Sequence, residues 1–146
     1  MKLVVDTNAI LSGLVKDSSS REIIRSEKFE FFTLSYAFKE IEKYKHLILE
    51  KSKLKELDFQ TLLQEFKSKV KLVDDELVEP KVKEAMDIMH LIDEKDAPIL
   101  ACALAIENDG IWSQDRHFEK QNKVKYWKTE DLIGIVRDSK KEEADS

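Results

Sequence analysis

Apolar residues run along this chain in short continuous blocks, separated by stretches where they recur every three or four positions. Lys2–Val5 is such a block and ends abruptly at Asp6-Thr7-Asn8, the pattern of a strand buried on both faces. Helical spacing follows at Ile10, Leu11, Leu14 and Val15, with Asp6 or Thr7 as cap. Ser18–Ser26 reads as a short helix facing Ile23 and Ile24 inward, and Glu30–Leu34 (EFFTL) as the second strand. From Tyr36 onward, Ala37, Phe38, Ile41, Tyr44 and Ile48 form one apolar stripe. Glu40 falls at its edge, about 100° from Ile41. A Lys-rich helical stretch is expected over 47–69, with Leu54, Leu57, Leu62, Leu63 and Phe66 apolar.

Lys71–Asp74 reads as a third strand, and Pro80 opens a helix through Leu91 with Val82, Ala85, Met86 and Met89 on its face. Asp96-Ala97-Pro98 then begins a helix over Ile99–Ile106 that is apolar almost all round, hence buried. Gly110–Ser113 and Val124–Trp127 complete the strands, and Thr129–Arg137 forms the last helix. Residues 1–138 are expected to form one domain, and 139–146 (SKKEEADS) a charged, disordered tail. Strands alternating with helices predict an α/β fold with a mostly parallel sheet, whose ligand site lies at the carboxyl ends of the strands.

The bulk composition narrows the function less than the pattern does. The chain has 146 residues, 42% hydrophobic, enough for one core. Charged residues reach 38%, well above the usual quarter, but 25 Lys and Arg oppose 30 Asp and Glu for a net charge of −5. That balance gives no basic stripe of the kind nucleic-acid binders usually carry. Cys102 is the only cysteine, so no intrachain disulfide forms and a reducing interior is expected. MKLVVDTN is too short for a signal peptide or membrane span, so the expected location is the cytoplasm.

Four acids occupy special places. Asp6 follows strand one, Glu40 lies in the helix after strand two, Asp96 heads the buried helix, and Asp115 follows the GIWS strand. If strands one and four are neighbours, the four carboxylates converge at one end of the sheet. Converged carboxylates repel one another unless a cation joins them, and hard oxygen ligands select Mg²⁺ or Mn²⁺. The reaction class is then metal-assisted phosphodiester hydrolysis. His46, His90 and His117 are scattered and predict no zinc set. Taken one at a time, the acids carry little: Asp6, Asp96 and Asp115 stand where a helix N-cap stands, Glu40 and Asp93 where solvated residues stand, and Thr7 and Ser113 serve as ordinary structural hydroxyls. The constellation is what points to chemistry.

These motifs resemble those of PIN domains along residues 1–138. VVDTNAIL is similar to the family's first motif, Glu40 in SYAFKEIEKY to its second acid, DEKDAPILACALA to the third motif with Asp96, and IWSQDRHF to the fourth with Ser113 and Asp115. The resemblance implies a three-layer α/β/α sandwich around a five-stranded parallel sheet. It implies an Mg²⁺- or Mn²⁺-dependent endoribonuclease with Asp6, Glu40, Asp96 and Asp115 as ligands or ligand-positioning groups, and Asn8 holding Asp6. Many members are toxins neutralised by a small antitoxin, and many are homodimers, so both partners are expectations here. Two features differ from compact toxins: the long Lys-rich segment 47–77, and Asp93, an additional acid that is either an extra ligand or surface.

For RNA, Lys39, Lys43 and Arg116 are the candidate cations, with further lysines at 45, 51, 53, 55, 120 and 123. The plainer reading pairs most of these with Glu42, Glu50 and Glu56 on solvated helices. The alternative function is a non-catalytic PIN scaffold that binds RNA or protein. A phosphotransfer domain fits poorly: a receiver needs an acid pair after its first strand, and a dehalogenase-like phosphatase needs a second Asp where Asn8 stands.

Overall fold

The computed structural model describes residues 1–16 and 18–145. Five parallel strands, β1 (Lys2–Val5), β2 (Glu30–Leu34), β3 (Val70–Val73), β4 (Ile111–Trp112) and β5 (Tyr126–Trp127), lie in the order β3-β2-β1-β4-β5. The first and fourth strands are therefore neighbours, with Val4 opposite Ile111 and Val5 opposite Trp112. The chain order reverses at β1, which creates a crevice at the strand ends there. Gly110 enters β4 with φ of +141°, and a Cβ at that position would lie 2.5 Å from the Lys125 carbonyl oxygen. Glycine is what lets β5 approach.

Continuous apolar strands reflect a sheet covered on both faces. Leu3, Val5, Phe31, Val70 and Trp112 point into one cluster, closed by α1 (Thr7–Val15), α2 (Ser19–Arg25), α3 (Ala37–Lys43), α4 (Lys45–Ser52), α5 (Glu56–Lys69) and α9 (Thr129–Asp145). Val4, Leu34, Val73 and Ile111 point into the other, closed by α6 (Asp75–Val78), α7 (Val82–Met89) and α8 (Ala97–Ala105). The result is the expected three-layer α/β/α arrangement. Helix α8 is the buried one: Ala97, Leu100, Ala101 and Cys102 are fully covered, and its small residues let it lie close to β1 and β2. Burial also pushes the Cys102 thiol up to about 12, so it stays an uncharged core group.

Several expectations are corrected. The Lys-rich stretch is two helices, α4 and α5, parted where Lys53 takes a left-handed conformation with φ of 58°. The helix expected from Pro80 is α7 preceded by α6 and a 3-10 turn at Glu79–Lys81. Tyr44 leaves the apolar stripe, being 44% exposed while Phe38 and Ile41 are buried. The charged tail is helical to Asp145 as the end of α9, where Arg137 and Lys140 reach Glu22 of α2 at 3.6 and 3.3 Å; Ser146 of that segment lies outside the described residues. A lysine pair with acids three and four residues further on suits a helix as well as it suits a solvated tail, and Glu22 supplies a tertiary anchor that composition cannot reveal.

Candidate functional site

The crevice beside β1 receives most of the singled-out acids, and burial decides how each behaves. Asp6 stands at the last turn of β1, at the start of α1, yet makes no regular side-chain cap bond. Its Oδ2 instead accepts from Ser113 Oγ at 2.9 Å. Ser113 is buried at the end of β4, where its Oγ also accepts from the Asp115 backbone N–H at 2.9 Å. Asn8 completes the frame: its Nδ2 donates to Ser113 Oγ at 3.3 Å and its Oδ1 accepts from the Gln114 N–H at 3.1 Å. Strands β1 and β4 thus hold the Asp6 and Asp115 loops together through Ser113 and Asn8. Burial raises the pKa of the Asp6 carboxyl; the Ser113 hydroxyl and the Thr7 and Asn8 amides pull it back, and the Asp115 charge adds to the rise.

Asp96 stands at the N-terminus of α8, also without a cap bond. Two opposing sets of forces act on it. A helix N-terminus and the His117 hydrogen bond favour its anion, while burial and the charges of Asp115, Asp6 and Asp93 oppose it. The second set wins, and the pKa rises to about 6. By contrast, Asp93 and Asp115 do act as caps, accepting from Lys95 and His117 backbone N–H groups at 3.0 and 2.9 Å.

His117 is the residue that sequence reasoning missed. Its Nδ1 lies 3.3 Å from Asp93 Oδ2, 3.2 Å from Asp96 Oδ2 and 3.0 Å from Asp115 Oδ1. Ligand atoms of these four residues all fall within 4.8 Å of one another. The histidines are scattered in sequence, as expected, but one of them joins acids rather than other histidines; its place two residues after Asp115 was the available signal. Glu40 is brought to a different side. It lines a cleft of about 340 Å³ with Asp6, Thr7, Asn8 and Asp96, beside Tyr36 and Tyr44. Asp96 alone belongs to both the cleft and the His117 cluster. Lys39, Lys43 and Arg116 are exposed, and the cation that lines the cleft is Lys95. A larger hollow, about 770 Å³ between α2 and α9, mixes acids and bases and carries no such convergence.

The donor set fits a divalent cation. Carboxylates from three separate turns crowd together at a cost that shows in the raised pKa values of Asp6 and Asp96, and a cation removes that cost. Oxygen donors suit Mg²⁺ and Mn²⁺, and an imidazole nitrogen shifts the preference toward the transition metal.

Residues 4–134 match the family described as PIN domain. The chain belongs to the PIN-domain family. No curated protein matches it. PIN domains are generally nucleases, and the acidic cluster of this one fits that chemistry and a divalent metal. Among the described residues, no helix of this PIN domain is long and apolar enough to cross a membrane.

Proposed function

We propose that this PIN domain is an endoribonuclease that hydrolyses RNA phosphodiester bonds with Mg²⁺ or Mn²⁺. The observation that carries the reading is Asp96, which faces the Asp6–Glu40 cleft on one side and Asp93, Asp115 and His117 on the other, with its pKa raised to about 6. Acids forced this close need a counter-ion, and a cleft that opens beside them gives a phosphate access to it. When bound, the cation supplies charge stabilisation to the phosphoryl oxygens and acidifies a water. Asp6, Asp96 and Asp115 hold it, with Glu40 contributing from the α3 wall. Ser113 fixes the Asp6 carboxylate by its 2.9 Å bond, and Asn8 keeps the Gln114 turn from drifting away from it. From outside the cleft, His117 links Asp93, Asp96 and Asp115 and offers the ion an imidazole nitrogen.

Cleavage of a fluorogenic single-stranded RNA in Mn²⁺, wild type against Asp6→Asn, tests this. The variant should lose about a thousandfold in rate, because the metal's share of the barrier is several kcal/mol. Equal rates in the two proteins overturn the catalytic claim. Calorimetry separates the remaining alternative: a scaffold that only binds partners would take up no Mn²⁺ at millimolar concentration. We further propose a cytoplasmic homodimer that acts as the toxin of a toxin–antitoxin pair, in line with the family resemblance. Growth arrest on expression, relieved by a short neighbouring reading frame, is the expected sign.

A further inference from the structure

Helix α3 carries Glu40 between two tyrosines that nothing in the hydrolytic chemistry uses. Tyr36 precedes the helix and Tyr44 follows it, as its two caps, each four residues from Glu40. All three line the cleft that contains Asp6 and Asp96. The tyrosines are 45% and 44% exposed, although the neighbouring Phe38 and Ile41 are buried. Core packing therefore leaves both aromatic groups at the surface, at the mouth of the acidic cleft. Between them the cleft is lined by the apolar Leu11, Leu34, Ile41, Pro98 and Ile99. The rim is cationic, with Lys95 in the lining and Lys43 Nζ 5.8 Å from the Tyr44 ring centre. Among the described residues neither lysine is ion-paired, whereas Lys45, Lys67, Lys69 and Lys71 each meet a glutamate.

We propose that Tyr36 and Tyr44 form a base-stacking subsite that restricts the carboxylate cleft to unpaired nucleotides of a single-stranded RNA. The inference rests on the nuclease reading and narrows its substrate. Unpaired bases bind proteins by stacking on aromatic faces while cations take the adjoining phosphates, and the cleft presents both. A duplex keeps its bases stacked on each other and offers the tyrosines no face.

Fluorescence anisotropy with the intact chain tests this, with Ca²⁺ in place of Mn²⁺ to keep strands whole. The probes are a labelled oligoadenylate of about ten nucleotides, within the usual range of single-strand site sizes, an abasic ribose–phosphate strand of equal length, and the oligoadenylate annealed to its complement. The wild type should hold the single strand about a hundredfold more tightly than the abasic strand, the loss of two stacked bases, and at least about tenfold more tightly than the duplex. Tyr36→Leu and Tyr44→Leu should each weaken oligoadenylate binding about tenfold, the loss expected for one stacked base, without changing abasic binding. Tyr36→Phe and Tyr44→Phe should keep most of the affinity. Wild-type protein that binds base-bearing and abasic strands equally overturns the subsite, and that comparison requires no variant to fold. Leucine variants with undiminished oligoadenylate affinity also overturn it. Manganese-dependent cleavage by the same preparation separates the two claims: cleavage without base preference sinks the subsite alone, whereas neither binding nor cleavage sinks both.

Discussion

On and behind the wall of the cleft formed by the strand ends, polar side chains hold one another: Ser113 donates to Asp6, Asn8 grips Ser113 and the Gln114 amide, and, outside the cleft, His117 touches three carboxylates. On the facing wall, α3 presents Tyr36, Glu40 and Tyr44 to solvent. The first wall is anchored in strands whose side chains are buried on both faces, so its atoms are positioned before any ligand arrives. The second belongs to a helix of seven residues, Ala37–Lys43, whose outer face is free to adapt. Rigid geometry suits bond cleavage and an adaptable surface suits recognition. Substitutions on the two walls should therefore separate turnover from binding.

The largest effect should come from Asp96→Asn, which removes the carboxylate shared by cleft and cluster. Steady-state RNA cleavage should fall about a thousandfold, as for loss of the metal's charge stabilisation, while binding of single-stranded RNA changes little. The same residue sets a pH dependence in metal-free protein. The native state keeps the Asp96 proton to about pH 6, whereas an ordinary Asp releases it near 3.8. Between those values the folded chain binds more protons than the unfolded one, so stability falls as pH rises. Its contribution is fully present below pH about 4 and lost once pH passes about 6. Thermal melts from pH 4 to 7 should show that decline in wild type and a shallower one in Asp96→Asn. Saturating Mn²⁺ should flatten the wild-type curve, because a cation favours the charged carboxylates. A melting temperature that climbs through this window contradicts the assignment.

Ser113→Ala should be the next most damaging. The hydroxyl touches neither solvent nor substrate, being buried behind Asp6, but losing such a support costs about 10–100-fold in metal affinity or activity. Titration of Mn²⁺ against both proteins reads it directly, and an unchanged affinity would show that Asp6 is positioned without it. His117→Ala lies behind the same wall and should act more selectively. Removal of the only nitrogen in the cluster should weaken Mn²⁺ by about tenfold and Mg²⁺ by less. Competition between the two ions distinguishes this from general damage, which would lower both alike.

The strand-end wall was largely legible in the sequence and the α3 wall was not. An apolar run cut off by Asp6, a second cut off near Ser113 and Asp115, and a helix of small apolar residues headed by Asp96 are local signals, and a parallel sheet brings such ends together. Strand positions were readable to within two residues for the same reason. His117 was not legible, because its relation to Asp93 and Asp96 exists only after α8 packs against the sheet. Nor was the break at Lys53, where neither Gly nor Pro announces a left-handed residue. Tyr44 misled because spacing reports which face of a helix is apolar and says nothing of where the helix ends; α3 stops at Lys43, and the chain turns Tyr44 outward.

The smallest expected effect tests the adaptable wall. Lys43 lies over the Tyr44 ring at 5.8 Å, far from Ser113 and His117 in the hydrogen-bond network, and Lys43→Ala should leave kcat unchanged. An exposed cation near a ring contributes about 0.5–1 kcal/mol, so KM for single-stranded RNA should rise only severalfold. Salt sharpens the reading. If Lys43 meets a phosphate, the slope of log affinity against log salt should fall by about 0.7 for a single strand; a slope that does not move assigns the lysine to Tyr44 alone. A drop in kcat of similar size to that of Ser113→Ala would mean that α3 is as tightly coupled to the chemistry as the strand ends, and the contrast between the two walls would then be wrong.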